Sequence, residues 1–315
     1  MLIRVSYGTA IAMGLLKAKM LARPTTAYLM LHHEGRCRNN CAFCPQARES
    51  RADLKKLSRI TWPLFELEEV LRHLKEGRFA RICLQTVDYP NLKEDTLRVL
   101  DVLRTSNLPI SLSITPVEVE YLEKFKELGV DYIGVGVDVA SEMLYPEIKD
   151  SLYTWDEMWK FAEDVIEIFG EGRAFIHLIA GLGESDFEFL TSVQRAYDMG
   201  ADVSLFAFTP IKGTRLEHGK PPSLQRYRML QIGQYLIENK LQRVENFEFE
   251  KNGRLVGFGI PREELEKLLK ENAFMTHGCP GCNRPYYNEK PGEEPYNFPF
   301  KPKKGYAKET LRRFG

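Results

Sequence analysis

Apolar positions along this chain change period again and again. Short runs rich in β-branched and aromatic residues, at 27–32, 80–86, 110–114, 132–137, 174–179 and 203–208, have the length and composition of buried strands. The stretches between them, at 64–74, 92–104, 117–128, 155–169, 187–198 and 224–239, carry the spacing of helices with one buried face. In 117–128, Tyr121, Phe125 and Leu128 stand at i, i+4 and i+7, and Gly129 follows where glycine commonly ends a helix. Strands and helices in alternation predict βα units, hence an α/β fold with a parallel sheet. Six units make a partial (β/α)6 TIM-like barrel over 26–240, with chemistry expected at the C-terminal ends of its strands.

Outside that stretch the pattern differs. Residues 8–16 predict an amphipathic helix within an N-terminal segment, 1–25. A C-terminal extension, 241–315, offers a strand-like run at 244–250, a short helix at 263–270, and a proline-punctuated stretch at 279–304. Irregular segments of that length are usually functional or disordered, and the paired cysteines here favour a docked cap folded over the barrel mouth.

Composition narrows the function. Of 315 residues 43% are hydrophobic, which suffices for a core and excludes a disordered or fibrous chain. Lys plus Arg total 44 and Asp plus Glu total 44, so the balance favours neither nucleic acid nor an anionic membrane as a partner. No run approaches the ~18 apolar residues of a membrane span. Lys17 and Lys19 follow the 8–16 run and no Ala-x-Ala site appears, so a cytoplasmic protein is expected.

Six cysteines carry the chemistry. Cys37, Cys41 and Cys44 form a C-x3-C-x2-C loop after the first predicted barrel strand, Cys83 lies on the second, and Cys279 and Cys282 form a C-x2-C turn. Clustered thiolates suit zinc or iron–sulfur clusters. A structural zinc site wants four ligands, commonly as two paired knuckles. A triplet in one loop instead holds three irons of a 4Fe–4S cube and leaves the fourth open for S-adenosylmethionine.

That triplet resembles the signature of the radical S-adenosylmethionine superfamily. The resemblance implies a partial barrel, a 4Fe–4S cluster, S-adenosyl-L-methionine as cosubstrate and one-electron cleavage of its C–S bond. It sets Phe43 against the adenine, where the competing reading is a core contact. It also aligns Ile179-Ala180-Gly181-Leu182-Gly183-Glu184 with an I-x-G-x-x-E run. There Ile179 packs on adenine and Gly181 lets the backbone approach the nucleoside. Asp138, ending the fourth strand, is a candidate for the ribose diol, against a helix N-cap. The superfamily's Gly-Gly-Glu run is absent; Gln85-Thr86-Val87-Asp88 stands there. Lys212-Gly213-Thr214 and the histidines His32, His33 and His177 are read as framework.

Phe43-Cys44-Pro45-Gln46, together with Cys83, resembles biotin synthase. Ser111 and Phe175 stand where that enzyme has two further cluster cysteines, and Cys279 and Cys282 are expected to replace them. The runs 24–30, 33–37 and 278–289 resemble one subunit of two-component lipoyl synthase. This resemblance implies an auxiliary Fe–S cluster, of the 4Fe–4S type, on Cys83, Cys279 and Cys282. Ser111, Arg262 and Arg284 are, in that order, candidates for a labile fourth ligand. It further implies sulfur insertion into an octanoyl chain, with Leu205, Phe206, Phe208 and Ile211 as candidate lining. The partners implied are a second lipoyl synthase subunit, an octanoylated lipoyl carrier protein (a glycine cleavage H protein or a lipoyl domain) and a low-potential electron donor. Two alternatives stand beside it: a biotin-synthase-like radical enzyme acting on a free small molecule, and a zinc- or cluster-binding subunit that positions a carrier without chemistry.

Overall fold

The computed structural model describes residues 1–76 and 79–314. The chain opens with β1 (Leu2–Val5), α1 (Tyr7–Met13) and β2 (Thr26–Leu31), followed by the hairpin β3 (Lys56–Leu57) and β4 (Ile60–Thr61), then β5 (Leu64–Glu66) and α2 (Leu67–Glu76). The βα units continue as β6 (Arg81–Gln85), α3 (Leu92–Leu103), β7 (Ile110–Ser113), α4 (Val119–Glu127), β8 (Val130–Asp138), α5 (Tyr145–Ile148) and α6 (Trp155–Phe169). After them come β9 (Ala174–Ala180), α7 (Asp186–Asp198), β10 (Asp202–Ala207) and α8 (Leu224–Glu238). The extension adds the pair β11 (Glu248–Phe249) and β12 (Leu255–Gly257), then α9 (Arg262–Leu268) and α10 (Tyr306–Phe314).

Eight strands form one sheet in the order β10-β9-β8-β7-β6-β2-β1-β5. The six from β2 to β10 are parallel, and β1 and β5 extend the β2 side as antiparallel strands. The pleat sorts residues by face. Ile82, Leu84, Ile133, Val135, Ile176, Leu178, Val203 and Leu205 point outward and are fully buried under the helices. Their neighbours Cys83, Gln85, Tyr132, His177 and Phe206 face a lumen and are only partly buried. Local signals hold the helices: Thr154 and Ser185 each form a capping box, with Glu157 and Glu188, at the starts of α6 and α7.

Several expectations need correction. The N-terminal segment is helical only at 7–13; β1 precedes the helix and joins the sheet, because Ile3 and Val5 bury there beside Leu31 and Leu29. The helix expected from residue 64 starts at Leu67, since Leu64–Glu66 pairs with β1. The run 244–250 is a 3-10 turn at Val244–Asn246 followed by a two-residue strand. One apolar core runs from Ile3 to Leu311.

The sheet does not close on itself; the C-terminal extension fills the gap. The free edge of β10 presents the carbonyls of Val203, Leu205 and Ala207. Each accepts a hydrogen bond from a side-chain amide: Gln234 (2.9 Å), Asn297 (3.0 Å) and Asn288 (2.7 Å) respectively. Arg59, from the β3–β4 hairpin on the far side of the gap, donates to the Tyr286 carbonyl at 2.7 Å. Residues 283–297 thus form a strap along the open side of the barrel.

Candidate functional site

The first cysteine set sits in the loop after β2, at the C-terminal end of the barrel. This loop is irregular but tightly held. The Cys37 amide donates to the Gln46 carbonyl (2.9 Å), and the Asp88 amide donates to the Cys37 sulfur (3.3 Å). Asp88 is fully buried and receives Arg38 Nε at 2.8 Å. Asn40 bonds Asp150 through backbone and side chain, and Arg215 donates to the Asn40 carbonyl at 2.8 Å. On the other flank the Arg51 amide donates to the Gly213 carbonyl (2.7 Å). Gly213 has φ +91°, and a Cβ there would lie 2.6 Å from the Ala52 nitrogen. Lys212-Gly213-Thr214 is therefore framework that clamps the cysteine loop.

The expected cosubstrate residues stand around this loop. Asp138 ends β8 with φ +62°, and its Oδ2 is ion-paired to Lys149, which also donates to the Gly136 carbonyl (2.8 Å). Asp138 caps no helix, and the hydrogen bond it accepts falls on Oδ2. Burial opposes the charge on Lys149, but Asp138 and the nearby Cys41 keep it an ammonium. Gly181 has φ +102°. A Cβ there would meet Pro222 at 2.9 Å, so protein fills that direction. Glu184 of the same run accepts from the Gly181 and Leu182 amides, both at 2.8 Å, and binds Arg226, closing the turn. Phe43 and Ile179 are both partly buried against the core.

The second set lies lower in the barrel. The extension carries Cys279 and Cys282 beneath the N-terminal ends of the strands, not over the mouth as expected. Arg81 donates to the Pro280 carbonyl (2.9 Å) and Thr26 to that of Gly281 (3.0 Å), while Gly281, at φ +83°, packs against Ala80. Cys83 on β6 pairs in register with Tyr28 and Ser111. The Tyr28 hydroxyl lies 3.4 Å from the Cys282 sulfur, Gln85 donates to Cys83 at 3.0 Å, and Ser111 stands beside Cys279. Burial pushes the Cys279 thiol up to about 12, with Cys282 adding to it, and raises Cys83 further. Arg284 reaches the same space, its guanidinium 4.0 Å from the Phe206 ring centre. Arg262 starts α9, where it bonds the Leu311 carbonyl and faces Glu266, and no cysteine is among these partners.

Cys83 is level with Tyr28, three residues below the end of β2, which sets the two cysteine sets about 10 Å or more apart along the strands. Between them lie His177, ringed by Ser113, Gly134 and Phe206, and Tyr287 from the strap, stacked edge-on to Phe206 at 5.7 Å. Burial pushes His177 down to about 4, so it is neutral near pH 7. Of the expected lining residues only Phe206 faces this space; Leu205, Phe208 and Ile211 are buried. The lumen mixes aromatic rings with Gln85, Ser113 and His177 and is more polar than expected.

Residues 32–196 match the Radical SAM superfamily. The chain belongs to that superfamily. Biotin synthases are among its relatives in sequence. The enzyme of Ehrlichia canis is 24% identical over 58% of this chain and 57% of its own length. That of Citrifermentans bemidjiense is 25% identical over 71% and 72%. The chain thus spans little more than half of the first of these relatives. Among solved structures, methylornithine synthase (PylB) superposes with a TM-score of 0.55 at 18% identity, covering 67% of this chain and 62% of that one. The hydrogenase maturase HydG from Carboxydothermus hydrogenoformans gives 0.52 at 20%, covering 68% and 51%. These structures share the fold of this chain.

Membership implies a 4Fe–4S cluster and S-adenosylmethionine, and the first cysteine loop fits them. Its three thiols are free; burial drives the Cys41 thiol up to about 11 against the pull of Lys149, and pushes Cys44 higher, with Cys41 and Cys37 adding to it. Such a set is unfavourable as bare thiolates, and ligation to iron removes that cost. Among the described residues no three Cys, His, Asp or Glu side chains converge on a point fit for one ion. A cube takes one thiolate at each of three irons, so its ligands stand further apart than those of a single ion. No helix among the described residues is long and apolar enough to cross a membrane.

Proposed function

We propose that this radical SAM enzyme inserts sulfur, drawing it from an auxiliary cluster bound by Cys83, Cys279 and Cys282. The observation that carries this reading is the convergence of these three cysteines, from a barrel strand and from a turn some 200 residues later, on the lumen. The bound groups would supply a 5′-deoxyadenosyl radical at the mouth and a sulfide at the lower site. The chain's own residues do the rest. Cys37, Cys41 and Cys44 hold the upper group, the ion pair with Lys149 fixes the Asp138 carboxylate at the end of its strand for a ribose, and Phe43 and Ile179 offer apolar faces to adenine. The strap carrying Tyr287 shields the gap between the sites from water, which a reactive carbon radical requires.

The finer reading is one subunit of a two-component lipoyl synthase that acts on an octanoyl chain carried by a lipoyl carrier protein. A second subunit and a low-potential electron donor serve as partners. An octanoyl-lysine arm reaches about 14 Å, enough to enter from a docked carrier and lie along Phe206 and Tyr287. One observation favours a second reading, a radical enzyme acting on a free small molecule. Gln85, Ser113 and His177 offer hydrogen bonds that an alkyl chain leaves unmet. Anaerobic turnover with a reductant decides between them. A mass gain of one or two sulfurs on an octanoylated H protein supports the first reading. Absence of that gain, with sulfur appearing in a small acceptor such as dethiobiotin, supports the second.

A further inference from the structure

Arg81 is the first residue of β6, and its guanidinium is almost fully buried at the floor of the lumen. Four hydrogen bonds fix it. Nε donates to the Pro280 carbonyl (2.9 Å), Nη1 to the Ser111 hydroxyl and to Asp131 Oδ1 (both 2.7 Å), and Nη2 to Asp131 Oδ2 (3.0 Å). The Tyr132 ring lies 4.8 Å beneath it. One planar fork thus ties three things together: the turn between Cys279 and Cys282, the serine of β7, and the carboxylate of β8. A lysine ammonium, with three donors at one point, lacks this geometry.

The consequence falls on Ser111. Its oxygen accepts a charge-assisted hydrogen bond from Arg81, and its hydroxyl stands beside the Cys279 sulfur. A serine that ligates iron does so as an alkoxide, with its lone pairs on the metal. This one has a lone pair committed to a guanidinium, with the Cys279 sulfur as the other neighbour of its hydroxyl. Resting on the auxiliary-cluster reading above, we infer that Arg81 is the positioning residue of the lower site. It pins the Cys279–Cys282 turn and holds Ser111 as a hydrogen-bond donor to the Cys279 sulfur, not as a fourth ligand. The side of the site that protein thiols leave open then faces the lumen and Arg284, where a substrate chain arrives.

The test uses the full chain with Cys37, Cys41 and Cys44 replaced by Ala, so that any cluster bound after anaerobic reconstitution is the lower one. In this background Ser111→Ala keeps the iron content per chain and the cubane spectrum of its parent. Its reduction potential moves negative, because a hydrogen bond to a ligating sulfur is lost. Loss of one iron in four, with a three-iron signature, would make Ser111 a ligand and overturn the inference. In the iron-free protein, Arg81→Lys raises the alkylation rate of Cys279 and Cys282 roughly tenfold and leaves Cys83 unchanged; unchanged rates at the turn would also overturn it. Arg81→Lys keeps the charge and is chosen because Arg81→Ala strands Asp131 and can unfold the chain. A parent that takes up no lower cluster refutes the reading beneath and the serine's role with it. The alkylation rates still decide whether Arg81 pins the turn.

Discussion

The two ends of the barrel hold cysteines in opposite ways. At the mouth, Cys37, Cys41 and Cys44 come from one loop, and the framework around it, Asp88, Asp150 and Gly213, is borrowed from three later loops. At the floor, Cys83 comes from a strand and its partners from the turn that leads into the strap along the open side of the sheet. A local motif writes its own geometry and needs the fold only for support. An assembled site exists only while the long-range docking of the strap holds, so its stability is tied to the whole extension.

The largest effect that separates the ends is catalytic. Cys37/Cys41/Cys44→Ala should abolish 5′-deoxyadenosine formation, while Cys279/Cys282→Ala should spare it and remove the proposed sulfur transfer, both read by chromatography of one reaction mixture. Loss of cleavage in the second variant would show that the two ends are not separable.

The region between them is probed by pH. His177 is held near 4 in the folded chain by burial, which Asp138 opposes and Arg284 and Lys149 reinforce, against a usual value of 6.5. The unfolded chain binds this proton first as pH falls, so its contribution is full above 6.5 and is lost progressively down to 4. Fully expressed, that is on the order of 3 kcal/mol. His177→Asn should flatten the decline in urea-unfolding free energy between pH 6.5 and 4; an unchanged slope would place the loss elsewhere.

Smaller effects test the mouth alone. Asp88→Ala strands Arg38 and loosens the amide that faces the Cys37 sulfur, at a cost of about 2 kcal/mol. Unfolding measurements check the cost, and cosubstrate affinity should weaken while iron at the floor is retained. Gly213→Ala, where φ is +91° and the Ala52 backbone is in contact, should cost roughly 1–2 kcal/mol by the same assay.

Much of the fold was legible because helix and strand periods are local. The helix expected at 155–169 is α6 with the same bounds, and each of the six barrel strands lies within two residues of its expected ends. What was not legible depended on partners far away. Leu64–Glu66 reads as the start of a helix until β1 lies beside it. The C-x2-C turn signals ligands, but nothing in its spacing says which end of a barrel it meets. That is set by Arg81, Thr26 and Ala80 at the strand starts. For the same reason Arg262 and Arg284 look alike as candidates in sequence, and only the path of the strap separates them. Lys149 and Asp88 carried no motif, because a buried partner is marked only by the group it neutralises.

The three amides along β10 have one more implication. Gln234 belongs to α8, but Asn288 and Asn297 travel with the strap. Should the strap let go, a bare sheet margin is uncovered at the same moment that the floor cysteines scatter, and bare margins recruit other chains. Loss of the floor site and clumping are thus expected to be a single event in this protein, set off by whatever pulls the strap and the turn before it away.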